Sequence, residues 1–265
     1  MEILYSDKNL AVLVKPVGLD SELEVPTALK EQLGGEVFPI HRLDKNVGGV
    51  MVYARTKQAA AALSKAVQEG TMVKEYVAMV HGTPPETGDW RDLLFKDSSK
   101  NKVFVVKKER RGVKKARLEF KTLRTGEESL VHVRLHTGRS HQIRVQFSSR
   151  GFPLVGDHKY GARDEKKEPM LFSCCLSFPW KGEEKRFEHC PTGPEKSGGN
   201  FLRFLSQFPR HFVYKVKGGD GPWMRTFWKT CTGNTTAVPC CTALLCVVIP
   251  IWPRTLPPRH LSKPI

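Results

Sequence analysis

The chain has 265 residues, enough for one large core or two modest ones. Its 43 Lys and Arg against 27 Asp and Glu give a formal charge of +16, an excess that favours polyanions, nucleic acid above all, through a salt-sensitive, non-specific attraction. The seven cysteines all lie at or beyond Cys174 and include no C-x-x-C pair, which argues against a zinc site and a disulfide framework. The opening Met1-Glu2-Ile3-Leu4-Tyr5-Ser6-Asp7 has early acids and no long apolar run, so no export signal is expected and a cytoplasmic protein is the default.

Ile3 to Lys15 reads as two strands around a Ser6-Asp7-Lys8-Asn9 turn, and Leu10 to Val14 is continuously apolar, as in a buried strand. Val25 to Leu33 reads as a short helix opened by Pro26 and stopped by Gly34-Gly35. Val37 to Ile40 and Val50 to Ala54 are apolar runs on either side of a polar, glycine-ended loop. Thr56 is a good N-cap for the clearest helix, Lys57 to Glu69, which Gly70 follows. Met72 to His81 is a strand broken by Thr83-Pro84-Pro85. Val103 to Val106 and Arg117 to Leu123 read as strands around an Arg110-Arg111-Gly112 turn, and Leu130 to Leu135 as another strand. Ser140 to Ser149 is read as a helix, although Ile143, Val145 and Phe147 also fit a strand. Short strands with few helices between them indicate an α+β fold and not a regular βαβ array.

The character changes after about Glu188. The stretch from Cys190 to Ile265 is rich in Pro, Trp, Cys, Gly and Thr, with Glu195 and Asp220 against ten Lys and Arg, and shows no sustained period. Its apolar part, Ala237 to Trp252, is broken by Pro239 and Pro250 and is too short for a membrane span. Two units follow: a domain over 1–188 and an atypical tail over 189–265, read as either a disordered segment with no selected fold or an accessory extension that binds nucleic acid.

Four blocks carry the chemistry. They are His41-Arg42-Leu43-Asp44-Lys45-Asn46-Val47-Gly48-Gly49, Lys74-Glu75-Tyr76-Val77-Ala78, Gly138-Arg139-Ser140-His141-Gln142-Ile143-Arg144, and Val155-Gly156-Asp157-His158-Lys159-Tyr160-Gly161. Together with the opening Val14-Lys15-Pro16-Val17-Gly18, their order and spacing over roughly residues 2 to 188 resemble the RluA-type family of RNA pseudouridine synthases. No room is expected ahead of the opening for the small S4-type RNA-binding module of some relatives. The resemblance implies a mixed, largely antiparallel sheet with flanking helices and a basic RNA-binding cleft. It also implies conversion of specific uridines to pseudouridine in structured rRNA or tRNA, one essential aspartate, and no cofactor or metal.

On that resemblance Asp44 is the covalent catalyst; the bland reading is a solvated carboxylate capping a turn. The reaction breaks the bond between base N1 and ribose C1′, turns the uracil and rejoins it through C5. A carboxylate can attack sugar or base, or help remove a sugar proton, and must be released again. Arg144 is the expected partner of Asp44, because a cation offsets the penalty that burial puts on a charged carboxylate. Tyr76 is the residue expected against the target base, with a flat face for stacking and a hydroxyl for a proton relay. Arg42 is expected to enter the RNA where the target base has been extruded, and Ile143 to pack beneath the pocket.

Where the family usually has Thr-Ser-Gly, this chain has Val47-Gly48-Gly49, a change expected to loosen the loop or alter a hydrogen bond. Between Lys100 and Lys121 stand ten basic residues. Of these Lys107, Lys108, Arg110 and Arg111 are read as RNA-binding, the alternative being a solvated sheet edge protected by lysines. The expected protein is a cytoplasmic, monomeric enzyme with RNA as its partner and no membrane partner. The rivals are an RNA-binding protein on the same fold that has lost catalysis, and a glycoside-type hydrolase, which lacks a clearly placed second carboxylate.

Overall fold

The computed structural model describes residues 1–189, and the expectations for the tail, including its five cysteines and the Ala237 to Trp252 run, lie outside the described residues. The first two strands, β1 (Glu2–Ser6) and β2 (Leu10–Lys15), form the expected hairpin. One oxygen of Asp7 accepts the backbone N–H groups of Asn9 and Leu10, at 2.7 and 2.8 Å, and so closes the turn. Helix α1 (Glu24–Leu33) ends at Gly34. A two-residue strand β3 (Phe38–Pro39) pairs with β4 (Gly48–Ala54). Helix α2 (Lys57–Gln68) begins at Thr56, whose hydroxyl accepts the Ala59 N–H.

Strand β5 (Val73–His81) follows, then β6 (Thr87–Asp97), β7 (Lys102–Val106), β8 (Val113–Arg124) and β9 (Glu128–Leu135). Helix α3 (Gln142–Ser148) resolves the ambiguity of that segment in favour of the helix. A 3₁₀ turn at His158–Tyr160 leads to β10 (Leu171–Trp180) and β11 (Glu183–Glu188).

The strands form one sheet in the order β1-β2-β4-β10-β5-β9-β8-β6-β7, with β3 on β4 and β11 on β10. Only β4 and β10 run parallel; every other pair is antiparallel, as expected. No strand is expected from sequence at β6, β10 or β11, and β3 and β4 are foreseen only as apolar runs. Strand β8 is longer than expected, 12 residues from Val113 to Arg124 where Arg117 to Leu123 is read from sequence.

A further correction concerns β7 and β8, which do not form a hairpin with each other. Strand β6 lies between them, pairing Leu93–Asp97 with β7 and Thr87–Phe95 with β8. The Lys107–Gly112 connection therefore crosses over β6, and the Arg110 guanidinium sits on the Phe95 ring at 4.4 Å. The aromatic ring gives this basic crossing an apolar and cation-binding seat.

Leu10 to Val14 of β2 and the whole of β4 are without charged side chains because both faces are covered. Leu13, Met51 and Tyr53 pack with Val25 and Leu29 of α1 and Ile143 and Phe147 of α3. Leu10, Val12, Val50 and Val52 pack on the other face with Ala59 and Leu63 of α2. Among the described residues no helix is long and apolar enough to cross a membrane.

Candidate active site

Asp44 stands in the loop between β3 and β4, and several hydrogen bonds hold that loop. The Lys15 ammonium, fully buried at the end of β2, donates to the carbonyls of Pro16, Leu19 and Lys45 at 2.9, 2.8 and 3.2 Å. All three ammonium hydrogens are thereby used. Burial pulls the Lys15 pKa down to about 8, against the opposing charges of Asp20, Asp44 and Glu24. The Ser21 hydroxyl donates to the Leu43 carbonyl and accepts its N–H, at 2.9 and 3.2 Å. The Val47 N–H closes onto the Asp44 carbonyl at 2.9 Å. His41 Nε2 accepts the Val52 N–H at 3.3 Å, filling a ladder position beyond the short β3. Burial, with the charge of Lys74, holds this imidazole down to about 3, so it is neutral.

Val47-Gly48-Gly49 has a local explanation. Val47 is 2 % exposed and belongs to the core around α1. Gly49 has φ of 129°, and a Cβ there would lie 2.3 Å from the Ser173 carbonyl oxygen of β10, so only glycine allows this approach. The turn is closed by the Val47 N–H bond to the Asp44 carbonyl and by the core contacts of Val47.

Arg144 comes from the opposite side of the cleft, on α3. Gln142 fixes the start of that helix: its side-chain oxygen accepts the Thr137 hydroxyl and the Arg139 N–H at 2.8 and 3.0 Å. Arg144 Nη1 donates to Asp44 Oδ2 at 3.0 Å, across a hundred residues of sequence. Its Nε and Nη2 donate to the two oxygens of Asp157 at 2.7 and 2.8 Å. Asp157 is 1 % exposed and Arg144 8 %. Burial alone would lower the pKa of the guanidinium, but the Asp157 hydrogen bonds and the charges of Asp157 and Asp44 outweigh burial and raise it. Arg144 is therefore a fixed cation, with Asp157 orienting the fork and Asp44 on its outer nitrogen. The Tyr160 ring lies under the guanidinium at 5.1 Å.

A second chain of contacts reaches Asp44. The Tyr160 hydroxyl accepts the Val103 N–H at 2.9 Å and bonds His141 Nδ1 at 2.8 Å. Burial pushes the phenol up to about 12, so it keeps its proton. Burial also lowers the His141 pKa, against the charge of Asp44. The ring's Nε2 lies 3.8 Å from Asp44 Oδ2. His141 adopts φ of 51° to reach this position, a backbone strain on the order of 1 kcal/mol for a non-glycine residue.

Tyr76 lies on β5 at the floor of the cleft and is 5 % exposed. Burial and the charge of Asp44 raise its pKa, so it remains a phenol and offers a face and a donor. Ile143 packs in the core beneath, as expected. Arg42, half exposed, bridges the cleft mouth by donating to the Ser140 hydroxyl, and its other nitrogen lies 3.8 Å from Glu22. The cleft has a volume of about 560 Å³ and is lined by Arg42, Asp44, Tyr76, Arg144 and their neighbours. Lys107, Lys108, Arg110 and Arg111 are exposed on the crossing over β6 and do not line it. Among the described residues no three His, Cys, Asp or Glu side chains gather as metal ligands would.

The structure thus brings Asp44, Tyr76, Arg144 and Arg42 together and leaves the basic crossing apart. Sequence reasoning gave no role to Lys15, His141, Asp157 or Tyr160. All four stand in the quoted blocks, but their roles depend on contacts between blocks.

Residues 4–149 match the family of RNA pseudouridylate synthases. An uncharacterized RNA pseudouridine synthase of Chloroflexus aurantiacus is 41 % identical over 134 residues, which cover 49 % of this chain and 42 % of that protein. The ribosomal large subunit pseudouridine synthase D of Borreliella burgdorferi is 30 % identical over 233 residues, covering 80 % of this chain and 66 % of that protein. Among solved structures, human RNA pseudouridylate synthase domain containing 4 is similar with a TM-score of 0.61 and 25 % identity, over 77 % of this chain and 92 % of that one. The fold is that of an RNA pseudouridylate synthase, and the chain belongs to that family, in its RluA-type branch. It spans under half of the first relative's length and about two thirds of the second's.

Proposed function

We propose that this protein isomerises uridine to pseudouridine in structured ribosomal or transfer RNA, with Asp44 as the covalent catalyst. The observation that carries this reading is the Arg144–Asp44 ion pair at 3.0 Å, set in a cleft with Tyr76 at its floor. The reaction consumes nothing. The N1–C1′ bond breaks, C5 joins C1′, C5 gives up its hydrogen and N1 gains one. A group that starts as a carboxylate and ends as one suits such a cycle, whichever atom it engages. Arg144, held by Asp157, keeps the negative charge of Asp44 in a partly dehydrated site. Tyr76 stacks on the extruded uracil, and as a phenol it donates or relays a proton and does not act as a base. Arg42 leaves Ser140 to occupy the gap in the RNA. Residues 1–188 hold every one of these side chains and form the catalytic domain.

All the groups named come from one chain, so we read the enzyme as active in monomeric form. Its substrate class makes the cytoplasm its place of work; light scattering and cell fractionation test these two points. The rival is a catalytically silent RNA-binding protein, motivated by Val47-Gly48 and by the tail; the Arg144–Asp44 pair favours the enzyme over it. The deciding experiment maps pseudouridine in cellular rRNA and tRNA with and without the gene. The reading requires at least one position to lose its pseudouridine and regain it on complementation; identical maps would overturn it.

A further inference from the structure

Lys74 is an unusual resident of the cleft. It stands on β5, two residues from Tyr76, and both side chains line the same cavity. Alternate residues of a strand share a face, so the two are roughly 7 Å apart along it. The ammonium lies 3.0 Å from the position a Cβ would take on Gly138, the residue before Arg139. Burial and the charge of the neighbouring Arg139 both lower the Lys74 pKa.

The other charges of the cleft are matched. Asp44 faces Arg144, and Arg42 faces Glu22. Lys74 and Arg139 also line the cavity, but among the described residues neither has a carboxylate within ion-pair distance. Arg139 is nonetheless anchored, because its Nε donates to the Lys115 carbonyl at 2.9 Å. Two adjacent cations that repel each other, one of them largely desolvated, cost stability unless an anion joins them.

We infer that Lys74 and Arg139 form a phosphate subsite that grips the RNA backbone at the extruded nucleotide. This rests on the reading of the cleft as the uridine site. A base stacked on Tyr76 brings the phosphodiester next to it along β5, toward Lys74. The ammonium supplies a compact point charge and the guanidinium a two-pronged donor, so together they hold one phosphate in one place. The subsite fixes the sugar of the target nucleotide relative to Asp44, which a carboxylate reaction at that sugar requires.

The test uses the full chain and short RNA substrates in which either phosphate flanking the target uridine is replaced by an uncharged methylphosphonate. Dissociation constants are measured for the wild type and for Lys74→Met, Lys74→Arg and Arg139→Met, with turnover of the wild type recorded in parallel. Lys74→Met is expected to weaken binding of native RNA roughly 10- to 100-fold, the range for a hydrogen bond to a charged group. One of the two methylphosphonates should weaken wild-type binding equally and weaken Lys74→Met little further, while Lys74→Arg retains most affinity. Lys74→Met should also unfold at the same or a higher temperature, because a half-buried cation without a carboxylate partner has left the cleft; a merely structural lysine would do the reverse. Additive losses with both methylphosphonates, or no loss on substitution, overturns the subsite. Absence of wild-type turnover counts against the functional reading instead, and the binding pattern still decides the subsite.

Discussion

Asp157 and Arg144 meet through two parallel hydrogen bonds, 2.7 and 2.8 Å long, buried from solvent behind the catalytic cleft. Asp157 touches no substrate, yet it sets the angle at which Arg144 presents its third nitrogen to Asp44. Asp157→Asn keeps one acceptor and places a donor against the guanidinium. It should destabilise the fold by about 3 kcal/mol, as breaking a buried pair does. It should also lower kcat at least tenfold while RNA affinity changes little. Denaturant unfolding and single-turnover kinetics check this; a variant of native stability and rate would show that Arg144 needs no orienting partner.

Lys15 gives a pH dependence of definite sign. Its folded pKa is about 8, below the roughly 10.4 of an unfolded lysine. Between these values the unfolded chain binds more protons, so stability rises with pH across that window. Below it the full cost of the buried ammonium is present. Lys15→Met lacks this term, so the stability of the wild type relative to the variant should rise from pH 8 to pH 10. The variant also leaves three carbonyls unpaired, at about 1 kcal/mol or more each, independent of pH. Chemical denaturation at pH 7, 8.5 and 10 reads both terms, and a difference that does not change with pH would contradict the buried, charged Lys15.

The basic crossing over β6 lies away from the cleft, so its contribution should be to reach and not to chemistry. Replacing Lys107, Lys108, Arg110 and Arg111 together by Gln should leave kcat unchanged and flatten the dependence of log affinity on log salt. Each lost phosphate contact lowers that slope by about 0.7 to 0.9. A slope equal to the wild type's would assign these residues to a solvated sheet edge.

Every side chain assigned to the reaction lies before β11, which ends at Glu188 and is followed by a His189 N–H bond to the Cys174 carbonyl. A chain ending at His189 should therefore fold, bind RNA and turn over at a rate within a few-fold of the full chain. Pseudouridine yield on the same RNA at matched concentration checks this. A truncated protein with a native unfolding transition and no activity would make the remaining residues part of the enzyme.

Local signals were readable in the sequence. Asp7 marked the first turn, Thr56 and Gly70 bounded α2, and the continuous apolar run of β2 announced a buried strand. The Asp44, Tyr76 and Arg144 blocks named the residues that converge. What was missed depends on neighbours. Strand β6 interleaves Asp89, Arg91 and Asp92 with Trp90 and then runs Leu93-Leu94-Phe95, so no clean alternation marks it; pairing with β7 and β8 makes it a strand. Strand β10 mixes Cys174, Cys175, Ser173 and Ser177 into its apolar residues, and its place between β4 and β5 is set by Gly49 allowing close approach. Asp157 and Tyr160 acquire their roles only when the last block folds back onto α3, and nothing local to them shows it.

The account stands on Asp44. The Asp44→Asn variant keeps the shape of the side chain and an acceptor for Arg144, but it carries no nucleophilic oxygen. The measurement is pseudouridine formed per enzyme in a single-turnover reaction, alongside the dissociation constant for the same RNA. The account predicts product below roughly one thousandth of the wild-type rate, a barrier increase of about 4 kcal/mol, with affinity within a few-fold of wild type. Turnover by the pure variant at a rate near that of the wild type would contradict it.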